Sequence, residues 1–197
     1  MNITYSIGIL IFAIVLNLYI TYIVEQRAKN VYDKNQKPMY DIVATTLPNM
    51  NQYHYLCDLL CLIPMILYIY TIVYKRNQID EIILMFSVIF ILRGLSMYPT
   101  TFPSLYCYET RTKIPTMGAC HDCMFSGHLA FTLLPTLLLI YHGWSPIILL
   151  YPICFSFFQV ASRSHYSVDI LISWYITILV FIIVQFKCLQ NFMKQTI

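Results

Sequence analysis

Two short segments concentrate the residue types that move protons and attack phosphorus. The first reads Cys120-His121-Asp122-Cys123-Met124-Phe125-Ser126-Gly127-His128, the second Ser162-Arg163-Ser164-His165-Tyr166-Ser167-Val168-Asp169. His165 and Asp169 are four residues apart. On a helix they stack on one face, where the carboxylate can accept the proton of one ring nitrogen. The other nitrogen is then free as a nucleophile, the arrangement of covalent catalysis with histidine as the attacking group. His128 is a second imidazole that could protonate a leaving group. The plainer account of a lone His-x-x-x-Asp pair is a capping or structural hydrogen bond. A second histidine segment delivered to the same place argues for chemistry instead.

A zinc site is the competing chemistry. Its ligands would be Cys120, His121, Cys123 and His128, but no second Cys-x-x-Cys or closely spaced histidine pair completes the usual geometry, so no metal is expected. Cys107 reads better as one half of a loop disulfide, with Cys120 or Cys123, if its surroundings are oxidising. Cys57, Cys61 and Cys154 read as buried apolar residues.

The elements that must position these groups follow from composition. Of 197 residues, 59% are hydrophobic and 11% charged, against about 25% charged in a globular domain. The missing charge points to lipid as solvent. The net charge of +3 arises from 12 Lys+Arg and 9 Asp+Glu without a dense basic run, which excludes a nucleic-acid partner. A spanning helix needs about 20 mostly apolar residues. Six stretches qualify: Ile3 to Val24, about Tyr55 to Tyr74, Ile82 to about Phe102 with Arg93 embedded, about Met124 to Tyr141, about Ser145 to Ala161, and about Val168 to Phe186. The first lacks a basic n-region and is too long for a signal-peptide core, so it reads as a retained span. The expectation is an all-α polytopic membrane bundle of six transmembrane helices, one domain over residues 1–197. The loops 25–54 and 103–123 and the short connection 162–167 then share one face of the membrane. His128 and His165 stand at helix ends on that face, where a polar group in an apolar chain is costly unless it is used.

At these residues the sequence resembles the sphingomyelin synthase family, a branch of the lipid phosphate phosphatase superfamily. Cys120 to His128 is similar to the family's Cys-Gly-Asp-x-x-x-Ser-Gly-His, and His165-Tyr166-Ser167-Val168-Asp169 to its His-Tyr-Thr-Val-Asp. Arg93-Gly94-Leu95-Ser96-Met97-Tyr98-Pro99-Thr100-Thr101-Phe102-Pro103 is similar to Arg-x-x-x-Met-x-x-Thr-x-x-Pro, and Pro38-Met39-Tyr40-Asp41 echoes Pro-Leu-Pro-Asp. The resemblance implies a cofactor- and metal-independent exchange in the bilayer. A phospholipid donor gives its phosphorylated headgroup to the primary hydroxyl of a ceramide acceptor and leaves diacylglycerol. His165 would attack phosphorus, Asp169 orient it, and His128 protonate the leaving oxygen and then act as base toward ceramide. Arg93 and Arg163 would stabilise the phosphoryl charge, and Asp122 would position a histidine or a cationic headgroup. Arg93 as an ion-pair partner and Asp122 as a helix cap are the structural alternatives.

The departures bear on specificity. His121 replaces the family glycine and Leu129 a threonine, both at the headgroup pocket. Arg163 stands where sphingomyelin synthases usually carry histidine, whereas plant and protozoan inositol phosphorylceramide synthases carry Ser-Arg-x-His, as here. Choline, ethanolamine and inositol donors therefore stay open, with choline ahead through the Ser-Gly-His and Arg-x-x-x-Met matches. Tyr98, Tyr106, Tyr108 and Tyr166 could cage a quaternary ammonium, although tyrosines also gather at membrane interfaces. A lipid phosphate phosphatase is the nearest rival, but the chain has no Arg-Pro, has Phe125 before Ser126, and has Arg163 only two residues before His165. A non-catalytic membrane scaffold is the rival of another class.

Orientation draws two answers. Arg27, Lys29, Lys34, Lys37, Arg111, Lys113 and Arg163 fall on the active-site face against Lys75, Arg76, Lys187 and Lys194 opposite, which by the positive-inside rule puts the site in the cytosol. The resemblance implies a lumenal or exoplasmic site in Golgi, endoplasmic reticulum or plasma membrane, and that is the expectation adopted.

Overall fold

The structure, a computed structural model, describes residues 3–32, 37–75, 79–103, 121 and 123–196, with side chains described for 3–32, 37–72, 79–103, 121 and 123–185. Asp122, Cys107, Cys120 and most of the 103–123 loop lie outside these residues. The described residues form helices and no strand: α1 (Ile3–Val31), α2 (Ile42–Thr46), α3 (Leu56–Leu60), α4 (Leu62–Lys75), α5 (Ile79–Met97), α6 (Gly127–Tyr141), α7 (Leu150–Ala161) and α8 (Ser167–Thr196).

The apolar stretches fall on α1, α3 with α4, α5, α6, α7 and α8, but the helix ends differ for local reasons. The first helix runs past Val24 to Val31 because Glu25-Gln26-Arg27-Ala28-Lys29 are good helix formers once a helix is under way. α5 starts at Ile79, where Asp80 and Glu81 suit a helix N-terminus, and stops at Met97, just ahead of Tyr98-Pro99. The second stretch breaks at Cys61. Pro64 has no N–H to offer the carbonyl of Leu60, and the Tyr151 hydroxyl donates to that carbonyl at 2.7 Å instead.

Among the described residues two helices, α1 and the Ser167–Gln185 part of α8, are long and apolar enough to cross a membrane. Only 22% and 28% of their most apolar windows are buried. Apolar surface left uncovered on that scale suits lipid rather than water, so the chain is read as a membrane protein.

α6 is the hub. Its Leu129, Ala130, Thr132, Leu133, Leu134, Pro135, Thr136, Leu138 and Leu139 are all buried, as expected of a helix apolar all round. It packs against α4, α5, α7 and α8, while α1 lies along α5. One core forms around Met85, Ile89, Phe125 and Leu134, and another joins Cys57 of α3 to Leu129, Leu133 and Phe155. The helix carrying His128 is thus held from several sides.

Candidate active site

The start of α6 is fastened to α8 before any functional group is considered. The Ser126 hydroxyl accepts the N–H of Leu129 at 3.2 Å as the N-cap and donates to Gln159 Oε1 of α7 at 3.0 Å. Its backbone N–H donates to Ser173 Oγ of α8 at 2.6 Å. Gly127 follows because space runs out: a Cβ there would lie 3.3 Å from Nε of Arg93. Ser-Gly therefore pins the helix and lets a guanidinium approach its first turn, and His128 emerges at that point.

His165 lies two residues before α8, so the pair does not stack on a helix face as the spacing predicts. Asp169, in the first turn, reaches back instead. Its Oδ2 lies 3.2 Å from His165 Nδ1 and accepts the N–H of Tyr166 at 3.0 Å, while Oδ1 accepts the N–H of Met124 at 2.8 Å. Met124 holds φ at 96°, a conformation costly for any residue with a Cβ and kept only where surroundings impose it. Capping and histidine contact are thus two tasks of one carboxylate, which is fully buried. With Nδ1–H donated to Asp169, Nε2 of His165 keeps its lone pair.

The histidine rings of the two segments meet edge to face, with centroids 6.1 Å apart and planes at 61°. His128 Nε2 is 2.7 Å from Asp58 Oδ1 of α3. Asp58 was not anticipated from the sequence. Its signal is that it is the lone carboxylate of the stretch from Tyr55 to Tyr74, and such a residue in an apolar run asks for a partner.

Arg93 is 2% exposed. Its guanidinium donates to Asn17 Oδ1 of α1, and Asn17 Nδ2 in turn donates to the carbonyl of Phe90 at 3.0 Å. A cavity of about 170 Å³ is lined by Arg93, His128 and Asp58 together with Gly127 and the apolar Phe90, Phe131 and Leu62. Polar groups meeting apolar wall suits an amphiphile.

The structure places Arg163 differently. Its backbone is left-handed, with φ 58°, and its guanidinium donates to the carbonyls of Val160 at 3.2 Å and Leu47 at 3.4 Å. It fastens the end of α7 to the segment after α2. Asp122 lies outside the described residues. His121 is tied to α1, its N–H donating to Glu25 Oε1 at 2.6 Å and its Nδ1 lying 3.2 Å from Oε2. Among the described residues no three His, Cys, Asp or Glu side chains gather in a way that could hold a metal ion.

Two further residues act on architecture. Asp41 caps α2 through Val43 and Ala44, and it accepts the N–H of Ser167 at 2.6 Å and the Ser167 hydroxyl at 3.0 Å. Burial pushes its carboxyl up, but these hydrogen bonds outweigh burial and hold it below the usual carboxylate range. The Pro38 to Asp41 motif thereby secures the N-terminus of α8 beside His165. Tyr166 is buried rather than interfacial. Its hydroxyl donates to the carbonyl of Pro103 at 2.8 Å and accepts the N–H of Met39 at 3.0 Å, and burial pushes its phenol up to about 12. Of the other tyrosines suggested for a headgroup cage, Tyr98 has the Arg27 guanidinium 5.8 Å from its ring centroid, and Tyr106 and Tyr108 lie outside the described residues.

Residues 119–186 match the family model described as PAP2 superfamily C-terminal. The matched stretch contains His128, His165 and Asp169 with the helices that carry them. The match is consistent with the lipid phosphate phosphatase superfamily and supports a phosphoryl-transfer enzyme acting on lipid phosphates in a membrane. No curated protein matches the chain.

Proposed function

We propose that the protein is a sphingolipid synthase, transferring a phospholipid headgroup to the primary hydroxyl of ceramide through a phosphohistidine intermediate. The observation that carries this reading is the pair of adjacent imidazoles, one backed by the buried Asp169 carboxylate and the other lining a cavity with a buried arginine. In the first half-reaction the lone pair on His165 Nε2 attacks the headgroup phosphorus. The bond from phosphorus to the diacylglycerol oxygen breaks as a His128 proton moves to that oxygen. In the second, His128 takes the proton of the ceramide hydroxyl, whose oxygen attacks phosphorus. The P–N bond breaks and its electrons return to Nε2, so both histidines end as they began. Arg93 stabilises the phosphoryl charge from within a low-dielectric wall. Arg163 positions the loop that carries His165, and Asp122 positions a histidine or a cationic headgroup.

In this reading the chain is a single bundle of six membrane spans in a Golgi, endoplasmic reticulum or plasma membrane, with the site on the lumenal or exoplasmic face. Phosphocholine is the favoured headgroup. The superfamily match favours a second reading by itself, because water in place of ceramide makes the same site a lipid phosphate phosphatase. A cell-free assay separates them: fluorescent ceramide is offered with phosphatidylcholine, phosphatidylethanolamine or phosphatidylinositol, beside a phosphatidic acid control. A new phosphosphingolipid is expected, and its identity names the headgroup. Unchanged ceramide with hydrolysed phosphatidic acid overturns the synthase in favour of the phosphatase. No reaction of folded protein with any substrate leaves the scaffold. Loss of transfer in His165→Ala and His128→Ala is expected, and full activity in either removes the mechanism.

A further inference from the structure

The small cavity at His128 and Arg93 shares part of its apolar wall with a larger one. Phe90 of α5 and Phe131 of α6 line it and also line a second cavity of about 620 Å³ bounded by α1, α4, α5 and α6. One face of α5 runs through both. Arg93 stands at the head, and Phe90, Phe86, Ile83 and Ile79 follow at helical spacing. Ile14 of α1 and Met65 of α4 close the sides. Apart from the Tyr68 phenol the lining is apolar. Phe90 and Ile79 are eleven positions apart, about 16 Å of helix. That is close to half of a hydrocarbon core of about 30 Å, the depth one leaflet's acyl chains occupy. The volume lies within the range of about 300–1,000 Å³ usual for small-molecule sites.

We propose that this groove holds one acyl chain of the phospholipid whose phosphate is bound at His128 and Arg93, and that its Ile79 end limits the chain length accepted. The occupant follows from continuity: a chain entering between Phe90 and Phe131 is tethered to a head that an arginine and a histidine are placed to receive. The proposal rests on the reading that the site takes a phospholipid.

Two measurements on the full chain in detergent micelles test it. In the first, phosphatidylcholine with a diazirine at the end of one acyl chain is photo-crosslinked to the His165→Ala variant, which does not consume it. Labelling of Ile79 to Phe86 is expected, and excess dioleoyl phosphatidylcholine should suppress it while labelling of the outward face of α1 persists. Groove labelling that competes no better than that outer face overturns the proposal, because the groove then holds bulk lipid. In the second, diacylglycerol release is measured from phosphatidylcholines with 8- and 18-carbon chains. Ile83→Trp shortens the groove and should lower the long-to-short ratio at least about tenfold, since even single methylenes discriminate by that much in an apolar pocket. Ile79→Trp, at a position 44% exposed, repeats the test where core packing is not at stake. An unchanged ratio in both variants overturns the proposal. Saturable groove labelling in a protein that releases no diacylglycerol supports the groove and removes the transfer reaction, so the two failures are distinct.

Discussion

Asp169→Asn is the sharpest perturbation of the site, because it keeps shape and changes only charge and one donor. The native Oδ1 accepts Met124 N–H at 2.8 Å, and Oδ2 accepts Tyr166 N–H at 3.0 Å and faces His165 Nδ1 at 3.2 Å. An amide can serve only one of these sets. With its oxygen toward Tyr166 and His165, its NH₂ opposes the Met124 N–H. With its oxygen toward Met124, its NH₂ opposes the Tyr166 N–H and turns His165 Nδ1 into an acceptor, which moves the ring proton onto Nε2. The nitrogen proposed to attack phosphorus is then blocked. Either way a donor loses its acceptor, half-buried at Met124 or buried at Tyr166, costing about 1–3 kcal/mol of stability. Loss of the preorganised negative charge behind the imidazole should lower kcat by about 10² to 10³. The assay is diacylglycerol release from phosphatidylcholine with ceramide present, with acid-labile label retained on the protein as a second readout. A folded variant keeping more than one tenth of wild-type kcat would refute the assignment of Asp169 as the group that orients His165.

Gly127→Ala places a Cβ 3.3 Å from Arg93 Nε, while Asn17 holds the other end of the guanidinium; the arginine must shift by a few tenths of an ångström, and kcat should fall roughly tenfold with the fold retained by circular dichroism. Asp58→Asn removes the charge beside His128, but the Asp58 side chain is 59% exposed, so water limits the effect to about 1 kcal/mol, no more than about fivefold in kcat. Asp41→Asn should cost about 1–3 kcal/mol near neutral pH, read by thermal unfolding, through lost hydrogen bonds to Ser167 and α2. Because the folded carboxyl lies below its ordinary value of 3.8, its contribution is present above that pH and is lost as pH falls below it. The wild type should therefore lose stability in that acid range more steeply than Asp41→Asn, and parallel pH curves would contradict the assignment.

How the site is built was only partly legible in the chain. The link between His165 and Asp169 was readable because it joins residues four apart, although the geometry is that of a first turn reaching back rather than a helix face. The role of Pro38 to Asp41 was not, since Asp41 meets Ser167 across more than a hundred residues of sequence. Arg93 and Arg163 looked equivalent as cations near the motifs. Folding separates them, turning one toward His128 and Gly127 and the other onto the carbonyls of Val160 and Leu47.

Composition and apolar run length determined that the chain is helical and suited to lipid, because those properties depend on each segment alone. The pairing of Asp58 with His128, the approach of Arg93 allowed by Gly127, and the groove below Phe90 and Phe131 depend on which helices lie side by side. No spacing along the chain encodes those contacts. They arise when α6, apolar on every side, buries itself among α4, α5, α7 and α8 and brings its first turn to where the polar ends of the others meet.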